Sequence, residues 1–296
     1  MSGEILEFVV VGLVLGGIYA LFSVGLTLIF GVLDVINVAH GEFFTLGGYA
    51  AFMAVALLHL PPALGLPLAV VAAGTAGLLV YPVLIGPLQR RLGRRPAGPL
   101  FLVLTLGLSA VMQNSMLAVA GGEYLRVPPL LRGGVDLGFT YVSNQRVIIL
   151  AVACVSLALL FLFLRYHRQG AAIRAVAQNP VSAQAVGIPL TRIFTLTLGL
   201  GCGLAGLGGA LIAPLFNVYP TVGFSLTLKA FAITILGGMG NVLGALVALV
   251  ASFIVSLTEA LSVLVIPSEW SNAIAFGLMI AVLLMRPDGI FGRTRR

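Results

Sequence analysis

The sequence reads Arg165-Tyr-His-Arg-Gln-Gly-Ala-Ala-Ile-Arg-Ala-Val-Ala-Gln-Asn-Pro-Val-Ser-Ala-Gln-Ala-Val-Gly-Ile-Pro-Leu-Thr-Arg192 between two apolar runs that are each long enough to cross a membrane. Asn179 is a favourable N-cap, Pro180 suits a first helical position, and Gly187 ends the turn. A further short helix is expected over residues 171–178. The stretch therefore predicts a structured loop with two short helices joined at Asn179.

The composition around this loop is that of a membrane protein. Hydrophobic residues make up 60% of the chain and charged residues only 8%, with a mean hydropathy of +1.14. A water-facing surface needs far more charge than this. The net charge of +7 would suit nucleic acid binding, but the charges are too localised for that role. We therefore expect an all-α polytopic membrane protein in contact with lipid, and no nucleic acid partner.

The basic residues fall into three clusters. Of the sixteen Lys and Arg residues, twelve lie in these clusters, and no Lys or Arg precedes Arg90. Basic residues in alternate short loops mark the cytoplasmic side. This pattern predicts an outside N-terminus and a cytoplasmic C-terminus. The clusters are Arg90, Arg91, Arg94 and Arg95, then Arg165, Arg168, Arg174 and Arg192, and finally Arg286, Arg293, Arg295 and Arg296.

The apolar runs predict nine transmembrane helices in one domain, 1–296, with the loop 165–192 inside it. Broken helices leave eight or ten crossings equally compatible with the pattern. An odd number of crossings places the two termini on opposite sides of the membrane, as the basic clusters predict. The predicted spans are 5–30, 43–60, 66–88, 100–120, 147–164, 193–216, a segment from Gly223 to a glycine-rich break, 243–264 and 271–285.

A polar segment interrupts the first two apolar runs. Asp34, Asn37, His40 and Glu42 occur within nine residues, with no nearby Lys or Arg. An ionisable group at the bilayer centre costs about 2.5 to 3.5 kcal/mol, so such groups usually face a cavity or a partner. The segment is either a short cytoplasmic turn in which Asn37 and His40 cap helices, or a broken helix whose polar groups line the interior. We favour the broken helix.

Further polar residues lie inside predicted spans. Thr105, Ser109 and Gln113 share one helical stripe, followed by Asn114. Hydrogen bonding between helices and the lining of a permeation path are equally compatible with this stripe. The only lysine, Lys229, lies in an apolar context, where it either snorkels to the surface or faces the interior.

A second interrupted segment echoes the first. Residues 231–238, which end in Gly237 and Gly238, resemble residues 40–48, which end in Gly47 and Gly48. Paired interrupted segments in two halves of a chain are typical of a transporter pathway built from repeats.

Signatures of soluble enzymes are missing from the sequence. It contains no Walker-type loop, no Gly-x-Ser-x-Gly elbow and no His-Glu-x-x-His motif. Three scattered histidines and two cysteines within apolar runs do not suggest a metal site. We therefore expect no catalytic residues, no metal and no enzymatic activity.

Five short motifs carry a family resemblance. Through them the chain resembles, over nearly its whole length, the LivH-like permeases of ABC importers for branched-chain amino acids. The motifs are Ile36-Asn-Val-Ala-His-Gly-Glu42, Leu104-Thr-Leu-Gly-Leu-Ser109 with Gln113-Asn114, Arg174-Ala-Val-Ala-Gln-Asn179 with 183–187, Lys229-Ala-Phe231 with Leu236-Gly-Gly-Met-Gly-Asn241, and Arg286-Pro-Asp-Gly-Ile-Phe-Gly292.

The resemblance implies that the loop 165–192 couples the chain to a separate ATPase subunit. In the wider class this loop reads Glu-Ala-Ala, three residues, then Gly. Gly187 and Ala183 fit that pattern, whereas Ser182 replaces the first Ala and Val181 replaces the Glu. The missing carboxylate removes an expected ion pair but not the docking of a small-residue helix. The implied coupling residues are Arg174, Asn179, Ser182, Ala183, Ala185 and Gly187.

The resemblance also implies partners and a location. The expected partners are ABC ATPase subunits, a second permease that is either homologous or identical, an extracytoplasmic solute-binding protein and an amino-acid substrate. ATP would be used by the partner subunits, so no cofactor is expected on this chain, which would reside in the bacterial inner membrane. As a hypothesis, Asn37, His40 and Glu42 line or gate the pathway beside Gly237 and Gly238. The further candidate pathway residues are Thr105, Gln113, Asn114 and Lys229.

Two alternatives stay open at this level. Related permeases move leucine-like amino acids, urea, amides or aromatic acids, so the substrate is open within that range. An ion-coupled secondary carrier would instead use Asp34, Glu42, Lys229 and Glu259 for the coupling ion. That carrier would leave the capped loop 165–192 without a role.

Overall fold

The computed structural model describes residues 2–92, 98–136, 141–237, 244–265, 267 and 270–285. These residues form a helical protein with one short antiparallel hairpin, in which Val135 pairs with Val142. The α-helices are α1 Ser2–Leu33, α2 His40–Ala56, α3 Pro62–Val80, α4 Gly86–Leu92, α5 Gly98–Ala120, α6 Asn144–Tyr166, α7 Arg168–Gln178, α8 Pro180–Ala185, α9 Leu190–Ile212, α10 Val222–Gly237, α11 Gly244–Ser262 and α12 Ser271–Met285; the strands are β1 Gly134–Asp136 and β2 Tyr141–Ser143.

Six helical segments are long and apolar enough to cross a membrane. They are Glu4–Leu33, Pro62–Arg91, Gly98–Ala120, Asn144–Tyr166, Leu190–Ile212 and Gly244–Ser262. The other three predicted spans correspond to α2, α10 and α12, which are shorter helices of 17, 16 and 15 residues. The predicted helical membrane class is confirmed, whereas nine crossings and the sides of the two termini stay predictions.

The third predicted span, 66–88, contains a π-helical turn at a proline. α3 continues through a π-helical turn, Tyr81–Ile85, into α4. Pro82 has no backbone N–H and therefore interrupts the regular hydrogen-bond ladder at this point.

α1 lies in the middle of the molecule. Its inner residues Ile18, Leu21 and Phe22 have no exposed surface, and the helix packs most extensively against α11. α3 and α9 form the other extensive pair. Gly25 of α1 and Gly201 of α9 bring the two backbones together, because a Cβ on either would lie 2.7 Å from the carbonyl oxygen of the other. The glycines therefore serve close helix packing, as expected in lipid.

The two ends of α6 lie at opposite ends of the molecule and are used here to name them. This helix starts directly after the β-hairpin and ends next to α7 and α8. We call these ends the hairpin side and the loop side. A backbone bridge between Leu125 and Val218 on the hairpin side ties the segment before the hairpin to the connector 213–221, which joins α9 to α10.

Candidate functional site

The predicted helix break is present and lies deep in the protein. α1 ends at Leu33, Asp34 adopts a left-handed conformation with φ 53°, and residues 34–39 are not helical. His40, the first residue of α2, places its Nε2 3.2 Å from the carbonyl oxygen of Phe22. Phe22 precedes the end of α1 by three turns, or about 16 Å. The connector therefore runs back along α1, and α2 begins beside the middle of that helix.

The structure favours the broken-helix interpretation over the surface turn. Asn37 and His40 are fully buried, and Glu42 is 1% exposed. Neither Asn37 nor His40 acts as an N-cap of α2, since that position belongs to Ala39, which makes no side-chain cap bond. Asp34 is exposed and separate from this group.

α10 also begins beside the middle of α1, where it crosses α2. A Cβ on Gly41 would overlap the side chain of Thr227 and the carbonyl of Gly223. In return, a Cβ on Gly223 would overlap the carbonyl of Gly41 and the side chain of Thr45. The Thr45 hydroxyl also accepts a hydrogen bond from the Gly223 N–H at 3.1 Å. The first turns of α2 and α10 thus meet through matching contacts.

The two helices leave this crossing in opposite directions. α10 follows α1 toward the loop side, where Thr27 donates a hydrogen bond to Thr234 at 3.3 Å. α2 instead returns toward the start of α1, with Phe44 packed near Phe22 and Ile18. The first predicted interruption is present, whereas the second was placed at the glycine cluster after Gly237, most of which lies outside the described residues. The matching contacts that the structure shows join Gly41 to Gly223. The internal similarity noted in the sequence had instead paired Gly47 and Gly48 with Gly237 and Gly238.

Asn37 lines a small cavity of about 80 Å³ between α1 and α10. Both polar atoms of its side chain are buried, and neither has a partner among the described residues. Thr234 lines the same cavity. The backbone beside Asn37 is fixed by Thr105 of α5, whose hydroxyl donates to the Ile36 carbonyl at 3.0 Å and accepts from the Val38 N–H at 3.3 Å. A fixed loop thus buries the Asn37 amide, without a partner among the described residues, beside this apolar cavity.

The predicted polar stripe of α5 faces inward. Thr105 and Ser109 are buried, and the Ser109 hydroxyl donates to Glu42 Oε1 at 2.8 Å. Gln113, one turn further, lines a pocket of about 260 Å³ on the hairpin side. Asn114 also lines this pocket, although its amide donates to the Ala110 carbonyl of its own helix at 2.7 Å. We call this pocket the vestibule; its other lining residues are Leu117, Gly122, Tyr124, Tyr219, Pro220 and Thr221.

Lys229 faces the interior instead of snorkelling. Its ammonium group forms an ion pair with Glu259 of α11 and donates to the Tyr19 hydroxyl at 3.2 Å. The Tyr19 hydroxyl in turn donates to Glu259 Oε2 at 3.1 Å. The side chains of Lys229 and Glu259 are 13% and 9% exposed. This cluster therefore joins α1, α10 and α11 through one nearly buried pair of opposite charges.

Gly237 ends α10 in a buried position. A Cβ there would lie 3.2 Å from the backbone nitrogen of Ala248 in α11, so glycine allows the two helices to approach. Gly238, predicted with it as a pathway residue, lies outside the described residues.

The predicted pair of short helices is confirmed as α7 and α8. Asn179 caps α8, accepting hydrogen bonds from the N–H groups of Val181 and Ser182 at 3.0 Å each. Gly187 follows with φ 86°, a conformation that favours glycine. Arg174 of α7 is half-buried, and its Nη1 is enclosed without a partner among the described residues.

The Ala183 side chain points into the protein, whereas a residue that docks on a partner would have to be exposed. Its side chain is 4% exposed and packs into the protein's own core, whereas Ser182, Ala185 and Gly187 are exposed. Val181 and Val186 are 74% and 78% exposed at the two ends of α8. The sequence reading missed these valines as surface residues, because the family pattern directed attention to the small residues.

The sequence reading also missed Tyr19, Tyr219 and Thr221. Tyr19 lies in an apolar run, and a lone tyrosine there carries no signal of its partners. Tyr219 and Thr221 occur around Pro220 directly before α10, a position that could have been compared with the polar segment before α2.

We expect Asn37→Ala and His40→Ala to lower solute uptake while leaving the protein assembled. Removing Asn37 takes away an unused amide. Removing His40 takes away one hydrogen bond, worth about 0.5–1.5 kcal/mol, and the packing of its buried ring on Phe22, so its yield has to be measured beside its uptake. Uptake into cells and the yield of folded protein in mild detergent would check this expectation. Thr258→Ala is the matched control, since among the described residues its hydroxyl donates only within α11, to the Ile254 carbonyl at 2.8 Å. Unchanged uptake in both variants would remove Asn37 and His40 from the pathway.

Comparison with known proteins adds a family match. The model of a family described as branched-chain amino acid transport system / permease component matches residues 8–283. The permease protein LivH of the high-affinity branched-chain amino acid transport system of Escherichia coli K12 is 32% identical over 294 residues, which cover 95% of this chain and 94% of LivH.

Two other relatives are informative. BraD, a permease protein of the high-affinity branched-chain amino acid transport system of Pseudomonas aeruginosa, is 32% identical over 297 residues, covering 97% of this chain and 96% of BraD. LivM of E. coli K12, named as a permease protein of the same system as LivH, is 27% identical over 310 residues, covering 94% of this chain and 68% of LivM. One organism thus has two permease relatives of this chain.

Proposed function

The chain belongs to the family of branched-chain amino acid transport permease components, and we propose that it is the membrane permease subunit of an ATP-driven ABC importer. It would move branched-chain or related small amino acids across a bacterial inner membrane. The observation that carries this proposal is the meeting of α2 and α10 beside the middle of α1, with connectors that approach from opposite sides. Half-helices that begin at such a depth are typical of transport sites.

The proposed pathway follows α5. Solute delivered by a binding protein on the hairpin side enters the vestibule beside Gln113, passes Glu42 and Ser109, and reaches the level of Thr105 and Asn37. In the proposed pathway, the tight contact of Gly41 with Gly223 would close the way between the vestibule and the Asn37 cavity. Opening toward one side and then the other requires α2, α5 and α10 to shift relative to one another.

The coupling element of the proposed importer is α8 with its two exposed valines. Val181 and Val186 lie on the loop side, where an ATPase subunit would cover them and remove apolar surface from water. α7 transmits movement because its residues Gly170, Ile173 and Val176 are buried against the core. ATP would be bound and hydrolysed by the partner subunits, so this chain would carry neither cofactor nor enzymatic activity.

The partner permease is proposed to be a second, LivM-like chain. Support comes from E. coli, where LivH and LivM bear the name of one transport system and are both related to this chain. Nucleotide binding can drive transport only if it favours one conformation of the assembled complex over the other.

Cysteine crosslinking tests the proposed coupling. We expect Val186→Cys to crosslink to a copurifying ATPase subunit, because this side chain is 78% exposed on the loop side. Ala183→Cys is the matched control on the same helix; its side chain is 4% exposed and should not react. Mass spectrometry of the crosslinked band would identify the partner.

The opposite results are equally informative. An intact preparation without any ATPase, whose uptake follows an ion gradient, would favour the ion-coupled carrier. Crosslinking at Ala183 but not at Val186 would still support an ABC importer. It would show that the opposite face of α8 contacts the ATPase.

A further inference from the structure

We infer that Glu42, with Ser109, forms the subsite that receives the ammonium group of the transported amino acid. The inference rests on the proposed function, since it specifies the substrate class of the proposed pathway. It separates substrates with a cationic amino group from urea, amides and simple carboxylic acids, which the family resemblance alone leaves open.

The first support is the hydrogen-bond state of Glu42. Its side chain is 1% exposed; Oε1 accepts from Ser109 at 2.8 Å, and Oε2 is buried with no partner among the described residues. A buried acceptor left without a donor costs about 1–3 kcal/mol, and more when it is charged. The free oxygen is therefore a place where a donor from outside the chain is favoured.

The second support is the local charge. Glu42 is the third residue of α2, where the partial positive charge of the helix N-terminus favours the ionised carboxylate. Among the described residues, no Lys or Arg side chain forms an ion pair with it; Lys229 is engaged by Glu259. A buried carboxylate without a cation is unfavourable unless one is supplied. The substrate ammonium group supplies that cation.

The third support is the route to the site. Ser109 lies one turn, about 6 Å along the helix axis, from Gln113, which lines the vestibule of about 260 Å³. The Ser109 hydroxyl donates to Glu42 and keeps lone pairs that can accept from an ammonium group. α5 contributes only Phe101, Thr105 and Ser109 as buried residues, so a small movement of this helix would open the carboxylate to the vestibule.

A purely structural role for Glu42 makes a different prediction. If the carboxylate only held α5 against α2, removing either partner of the Ser109 bond would have the same effect. If the carboxylate binds an ammonium group, removing its charge is far more damaging than removing the serine hydroxyl. Glu42→Gln and Ser109→Ala separate the two roles.

The experiment measures uptake of radiolabelled leucine by the complete transporter in proteoliposomes. We expect Glu42→Gln to lower uptake by about 100-fold, the factor that corresponds to loss of a buried ion pair, while Ser109→Ala lowers it by less than about tenfold. Glu42→Asp should keep more activity than Glu42→Gln because it keeps the charge. ATP hydrolysis by each purified complex reports whether assembly and nucleotide use remain intact.

A second measurement tests directly whether the site recognises the amino group of the substrate. Ser109→Cys places a thiol beside Glu42, and its rate of modification by a methanethiosulfonate reagent is followed in the complete transporter. Leucine should slow this modification, whereas isocaproate, the same carbon skeleton without the amino group, should not. The protection by leucine should disappear when Glu42→Gln is added.

Each other outcome overturns the inference. Equal losses in Glu42→Gln and Ser109→Ala would identify the carboxylate as a structural tether of α5. Protection by isocaproate would show that the ammonium group is not what is recognised. Absence of leucine uptake in the unchanged transporter would instead refute the proposed function, and the subsite with it.

Discussion

Gly41→Ala is expected to be among the most damaging single substitutions in this chain. The added methyl group would overlap the Gly223 carbonyl and the Thr227 side chain, so α2 and α10 could no longer cross as they do. Overpacking of this kind costs about 3 kcal/mol at an otherwise well-packed site, because a rigid backbone has to move. We expect a large drop in the thermal midpoint of the detergent-solubilised protein and loss of uptake.

Gly107→Ala is the matched control for this substitution. Gly107 lies in α5, also a predicted membrane helix, and a Cβ there would have no neighbour within 4 Å. Alanine is also the better helix former, by about 1 kcal/mol. Gly107→Ala should therefore keep or slightly raise the thermal midpoint. Similar behaviour of the two variants would show that the crossing of α2 and α10 is not a tight packing site.

Lys229→Met is expected to destabilise the protein by about 3–5 kcal/mol, because it leaves the Glu259 carboxylate buried without its cation. Tyr19 would remain as a donor to that carboxylate, but a hydroxyl does not neutralise charge. The measurement is the thermal midpoint of the purified protein, together with the fraction that elutes as a single species in mild detergent.

The double variant Lys229→Met with Glu259→Gln is the matching test. It removes both charges, and replacing a buried pair by uncharged residues is often neutral for stability. We expect it to recover most of the stability lost in Lys229→Met. Equal stability of the single variant and the unchanged protein would mean that the ion pair of Lys229 with Glu259 does not stabilise the fold.

The helices themselves were largely predictable from the sequence. Apolar runs of membrane length predicted α1, α3, α5, α6, α9 and α11, because backbone groups in lipid are satisfied most simply within a helix. The capped loop was also predictable, since Asn179, Pro180 and Gly187 act through local backbone geometry. Such features depend on neighbours in sequence.

The depth at which helices start was not predictable. The sequence favoured a broken helix at segment 34–39 but also allowed a surface turn, and the position of His40 opposite Phe22 distinguishes the two. In the same way, the stripe Thr105-Ser109-Gln113 predicted an inward face, but not that Glu42 would be the partner of Ser109. These contacts join residues far apart in sequence, so no local pattern contains them.

The orientation of Ala183 illustrates the same limit within a recognised motif. The family pattern identified α8, but which side of a two-turn helix faces the core depends on how α7 and α9 pack around it. The exposed valines at its ends became visible only in the fold.

The matching contacts between the first turns of α2 and α10 have an energetic consequence. Where Gly41 and Thr45 on one helix meet Gly223 and Thr227 on the other through equivalent contacts, tilting the pair either way breaks and forms similar interactions. Two arrangements of this crossing that exchange the roles of α2 and α10 would then be close in free energy. A bias of about 1.4 kcal/mol already changes the ratio of two such populations tenfold, so weak differential binding at a distant subunit suffices to select between them.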